Sequence, residues 1–70
     1  MNLESGKTYL ITHLRKGTFM AHITSQDDTW TNGYIVGGKT KAMCDYNIKE
    51  KGDEITFRTS FVQKAIEQPQ

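Results

Sequence analysis

The stretch from Lys7 to Ser25, KTYLITHLRKGTFMAHITS, commits this chain to β structure before any other segment is considered. Two alternating runs rich in β-branched and aromatic residues flank Arg15-Lys16-Gly17, and two such runs around a Gly-containing break form a β-hairpin. With Lys16-Gly17 as a two-residue turn, Arg15 faces Thr18, Leu14 faces Phe19, Thr12 faces Ala21 and Leu10 faces Ile23. One face then holds Leu10, Thr12, Leu14, Phe19, Ala21 and Ile23 and is assigned to the core. The other holds Tyr9, Ile11, His13, Met20 and His22, with Lys7 and Arg15 at its ends. A solvated sheet face is normally polar, so an outer strip with a tyrosine, an isoleucine and a methionine between two histidines marks a surface that something covers. A one-residue slip splits the apolar sets between faces, which favours this register. Because Lys-Gly is a poorer primed-turn pair than Asn-Gly, a four-residue loop is the alternative.

After the hairpin, Gln26-Asp27-Asp28 supplies turn-forming side chains, and a third strand is expected from about Thr29 to Val36. Asn32-Gly33 inside it is read as a bulge near Gly33 that lets the sheet coil, a separate mini-hairpin being the alternative. Gly37-Gly38 reads as a second reversal. The fourth strand is then Lys39 to Tyr46, with Lys39, Lys41 and Met43 on one face and Thr40, Ala42, Cys44 and Tyr46 on the other. An amphipathic helix over Lys41 to Lys51 competes less well, because Asn47 and Gly52 disfavour it. Gly52-Asp53 launches the last strand, Glu54 to Val62, in which Ile55, Phe57, Thr59 and Phe61 face inward. Residues 1–5 and 64–70 show no partner pattern and are expected to be flexible ends of a domain over residues 6–63.

Seventy residues make one small domain, which buries only about 60% of the surface its unfolded chain exposes, so a stability of a few kcal/mol and a tendency to self-associate are expected. Five short strands joined by tight turns are too few for an ordinary two-sheet sandwich. They curl instead into an all-β, five-stranded, mostly antiparallel, partly open small barrel in which the last strand returns beside the first. The segments GTFMAHI, WTNGYIVGGKTKAM and KGDEITFR resemble the SH3-like small barrels, translation-type and Sm-like versions included. The resemblance covers about residues 6–63 and implies a fold. It implies no ligand, since the acidic and aromatic groove residues of SH3 domains and the Sm signature are not recognisable. The compact design is also similar to short accessory proteins of phages and mobile elements, which implies a phage-type inhibitor of a host complex.

Nine Lys and Arg against eight Asp and Glu give a net charge of +1, without the basic excess that non-specific duplex binding requires. Cys44, the single cysteine, has no partner for an internal disulfide, and with no leader-like or membrane-spanning run the chain is expected in a reducing cytoplasm. His13, His22, Cys44 and Asp45 are metal-ligand types but lack Cys-x-x-Cys or His-x-x-x-His spacing, so no metal or cofactor is expected. Asp27-Asp28 are turn-tip neighbours, and no serine or cysteine has an identifiable base, so the chain is not expected to be an enzyme. What remains is binding. The first expectation is a protein partner or homo-oligomer held at Tyr9, Ile11, His13, Met20 and His22. The alternative is single-stranded nucleic acid on an exposed sheet face, through Lys7, Arg15, Trp30, Tyr34, Lys39 and Lys41; burial of Trp30 and Tyr34 in the core would oppose it.

Overall fold

The computed structural model describes residues 2–41 and 48–69. Five strands follow in order, β1 (Thr8–His13), β2 (Gly17–Gln26), β3 (Trp30–Gly38), β4 (Glu54–Arg58) and β5 (Val62–Glu67), with one turn of 3-10 helix, Thr59–Phe61, between the last two. All neighbours are antiparallel, in the order β4-β3-β2-β1-β5. Consecutive β4 and β5 therefore lie on opposite edges of one sheet. In a flat sheet those edges would be roughly 19 Å apart, four strand spacings, whereas one 3-10 turn spans only about 8 Å. The sheet must curl until its edges approach. The result is an all-β, partly open small barrel in which no hydrogen-bonded ladder joins β4 to β5 among the described residues.

Strict alternation decides what fills the barrel. Tyr9 and Ile11 from β1, Phe19, Ala21 and Ile23 from β2, Ile35 from β3, Ile55 and Phe57 from β4 and Val62 from β5 form the core. The Phe19 and Phe57 rings meet edge-on at 5.7 Å. Leu3 joins this core from the N-terminal segment. That segment is pinned, because Leu3 N–H donates to Gln26 Oε1 at 2.9 Å and Glu4 N–H donates to the Tyr9 hydroxyl at 2.9 Å. Residues 2–5 are thus part of the fold rather than a frayed end.

The first hairpin departs from the expected register. Ile11 faces Phe19, Leu10 faces Met20, Thr12 faces Thr18 and His13 faces Gly17, whereas a Lys16-Gly17 turn would set Leu14 against Phe19. The displacement is three residues, and an odd displacement turns β1 over while leaving β2 on its expected face. Leu10 and Thr12 point outward, and Leu14 lies exposed in the turn. The cause is local. His13 Nδ1 accepts the N–H groups of Arg15 and Lys16, both at 3.1 Å, which folds Leu14–Lys16 into a three-residue turn. Gly17 closes it at φ +82°, a conformation that suits glycine.

Three later elements also differ. Asn32-Gly33 sits inside β3 and is not a hairpin turn, as expected, but the extra residue of the bulge is Thr24 on β2, between the pairs Ile23↔Gly33 and Ser25↔Asn32. Gly37-Gly38 continues β3 instead of reversing it. Beyond Gly38, Lys39 bridges to Glu50, and Thr40 N–H donates to the Lys49 carbonyl at 2.8 Å. The remainder of the expected fourth strand, residues 42–46, lies outside the described residues. The expected last strand is cut in two at Thr59, whose N–H donates to the Thr29 carbonyl and whose hydroxyl meets Thr31 Oγ1, each at 2.9 Å. After the 3-10 turn the chain re-enters the sheet, so residues 64–67 are an edge strand paired with β1 and not a flexible tail.

Candidate binding face

Since the barrel is filled by the odd-numbered residues of β1 and by Thr31, Gly33 and Ile35 of β3, the even-numbered residues beside them form its outer wall. Three cross-strand rows compose it. In the first, Ile66, Leu10 and Met20 lie side by side on β5, β1 and β2. In the second, Thr8, His22, Tyr34 and Glu54 follow one another from β1 to β4. His22 is positioned from both sides, by Thr8 Oγ1 at 3.1 Å from Nδ1 and by the Tyr34 ring at 5.2 Å with planes 30° apart. In the third, Trp30 pairs with Arg58, whose guanidinium sits 5.1 Å from the indole centroid.

Trp30 faces outward because its neighbours leave no choice. Thr31 must face inward, where its hydroxyl meets Thr59 Oγ1 and accepts from Gln26 Nε2, both at 2.9 Å. Trp30, Asn32 and Tyr34 then share the outer side. Trp30 is 42% exposed and Tyr34 40%, so neither fills the core. Asn32 between them is locked, donating to Ser25 Oγ at 3.1 Å and accepting from the Thr56 hydroxyl at 2.7 Å. At the end of this strand the Asp27 carboxylate accepts the N–H groups of Trp30 at 2.7 Å and Thr29 at 2.8 Å. Those bonds, Trp30 foremost, hold the Asp27 carboxyl below the usual carboxylate range. Two shallow depressions flank β3, about 200 Å³ beside Tyr34, Asn32 and Glu54 and about 360 Å³ among Gln26, Asp27, Asp28 and Thr59.

The residues singled out from sequence divide between the two faces. Met20 and His22 lie on the outer wall, half-buried. Tyr9, Ile11 and His13 do not; the turned-over β1 places all three in the interior. His13 and His22 consequently sit on opposite faces of the sheet, while Cys44 and Asp45 fall outside the described residues. No group of three or more His, Cys, Asp or Glu converges among the described residues. Of the cations, Lys7 is engaged by Glu67 at 3.2 Å and Glu4 at 3.5 Å, which raise its affinity for its proton. Arg15 lies over Phe61 at 5.8 Å, at the other end of β1. Lys39 and Lys41 follow Gly38, with Lys41 N–H bonded to the Lys16 carbonyl at 2.8 Å. None of these four accompanies Trp30 and Tyr34.

Arg58 is the cation that does, and its alternation with Ile55 and Phe57 is a sequence signal for an outward position. Arg58, Leu10 and Ile66 are absent from the sequence-derived candidates. Leu10 was misplaced by the hairpin register, and Ile66 sits in a stretch too polar to read as a strand. No helix among the described residues is long and apolar enough to cross a membrane. No protein-family model, curated protein or solved structure matches this chain.

Proposed function

We propose that this protein is a non-enzymatic binding module that engages a protein partner, or a second copy of itself, through the outer wall of its sheet. One observation carries the reading: Trp30, Tyr34 and Ile66, each at least 40% exposed, share a face with Leu10, Met20 and Arg58. Exposed tryptophan, tyrosine and arginine beside a half-buried methionine on one sheet face are the composition of an interface centre. His22 braces Tyr34 and Arg58 braces Trp30, so these anchors lose little freedom on binding. The strand order, with consecutive strands on opposite edges joined by a 3-10 turn, supports the SH3-like likeness. A phage-type inhibitor of a host complex is one form such a module takes.

Sedimentation velocity reports self-association, and pull-down with the immobilised protein reports a partner. Trp30→Ala and Tyr34→Ala should each weaken the association by about 30-fold, corresponding to roughly 2 kcal/mol at an interface centre. Wild-type behaviour in both variants would remove the outer wall from consideration.

Single-stranded nucleic acid is the second reading, because Trp30 and Tyr34 project four residues apart from the same side of one strand like stacking platforms, with Arg58 beside Trp30. It ranks lower because Glu54 lies opposite Tyr34 and Lys7, Arg15, Lys39 and Lys41 lie elsewhere. Trp30 is the sole tryptophan, so its fluorescence isolates the site. Oligothymidine should quench it at low salt and release it as salt rises. An emission indifferent to the oligonucleotide eliminates this reading.

A further inference from the structure

His13 takes part in neither reading, yet its ring is held on several sides. It is 4% exposed and wedged edge-on between Phe57 at 5.4 Å and Phe61 at 5.8 Å. Because Nδ1 accepts two backbone N–H groups, it carries no hydrogen, and the neutral ring holds its proton on Nε2. Nε2 is buried without a hydrogen-bond partner, so the only strong polar work of this ring is to hold the turn. The turn in turn holds its neighbour. The Lys16 carbonyl accepts the Lys41 N–H at 2.8 Å, and the Lys41 stem lies across Gly17, its Cγ 3.0 Å from where a Cβ would stand.

We propose that His13 is an acid-operated latch: a proton on Nδ1 expels the Arg15 and Lys16 N–H groups, opens the Leu14–Gly17 turn and releases Lys41, while the sheet stays paired. A protonated Nδ1 is a donor, and two donors facing it cannot be accommodated. The groups packed on the ring offer no compensation. The turn presents Arg15 and Lys16, both positive; the 3-10 turn and β4 present the Phe61 and Phe57 rings; β5 presents Val62 opposite in the ladder. No carboxylate faces the ring among the described residues. Burial foremost, then Lys16 and Arg15, lowers the His13 pKa from 6.5 to about 4.

The direction follows from that depression. Released, the imidazole binds its proton near 6.5; latched, only near 4. The latch is at full strength above pH 6.5, weakens as pH falls, and is fully disfavoured below about 4. The gap between 6.5 and about 4 makes opening on the order of 300-fold more favourable at the acid end.

Amide hydrogen exchange on the full chain between pH 7 and 4, expressed as protection factors, tests this. Protection at Arg15, Lys16 and Lys41 should fall by about two orders of magnitude while Ile11 in the sheet keeps its own. His13→Asn, whose side-chain oxygen can accept the same N–H groups without titrating, should hold the turn protected across the range. Should that variant not fold, the imidazole resonances of the wild-type protein must titrate together with the Arg15 and Lys16 amide shifts. The latch is refuted if the turn amides stay protected to pH 4, if they open only in one cooperative unfolding with the sheet, or if His13→Asn opens with the wild-type pH dependence.

Discussion

Ile11→Asp should abolish folding, whereas Met20→Asp should leave a folded protein, and circular dichroism with thermal denaturation separates the two. Ile11 is 0% exposed at the centre of the core, between Phe19 on β2 and Ala65 on β5 in the ladder. A carboxylate there sits among the apolar side chains of the core, and a buried charge costs several kcal/mol even after it neutralises by taking a proton. That exceeds what a 70-residue domain with a single cysteine commands, only a few kcal/mol. Met20 lies on the opposite side of the sheet, half-buried, and its replacement costs only about 1 kcal/mol. The pair reads out the register directly. A Lys16-Gly17 turn would put Ile11 and Met20 on one face and make the substitutions behave alike; equal behaviour would reinstate it.

That contrast also locates where sequence reasoning held and where it lost its grip. The face of β2 was legible because Phe19, Ala21 and Ile23 alternate cleanly with Met20 and His22. β1 has two apolar sets of similar strength, Leu10 and Leu14 on one side and Tyr9 and Ile11 on the other, so periodicity alone could not orient it. The turn had to decide, and it is decided by an imidazole acceptor that turn propensities do not count. The expected number of strands was correct but their membership was not. Alternation runs unbroken from Ile55 through Phe61, and the break at Thr59 depends on hydroxyl and carbonyl partners at Thr31, Thr29 and Asp27, too far away in sequence to anticipate. β5 was hidden because an edge strand on an open barrel buries little beyond Val62 and Ala65. Its exposed positions are free to be Gln63, Lys64 and Glu67. The same logic explains the site. Met20, His22, Trp30 and Tyr34 were visible as candidates, while Leu10 and Ile66 required the true pairing.

Gly33→Ala should lower the melting temperature by 10 °C or more, although Gly33 has no unusual backbone angle. It faces inward on β3, paired with Ile23 on one side and Ile55 on the other. A Cβ at this position would run into the His22 carbonyl oxygen and stand 3.1 Å from its carbon and 3.2 Å from the Ile23 Cα. All three are backbone atoms, so no rotamer change relieves the overlap and β2 has to move away from β3. Overpacking of this kind costs about 3 kcal/mol, and in a domain of this size each kcal/mol is worth about 4–8 °C. Gly37→Ala supplies the control, because its Cβ would meet Met20 Cβ at 3.5 Å, an ordinary contact. There the melting temperature should hold or rise slightly, since alanine restricts the unfolded chain more than glycine does. The clash carries a functional consequence as well. The displaced residue, His22, is the one whose ring stacks on Tyr34, so shifting β2 separates the two halves of the aromatic row. At temperatures where Gly33→Ala is still folded, it should bind its partner as weakly as Tyr34→Ala does. Wild-type stability in that variant would mean that the two strands are further apart than the Thr24 bulge places them.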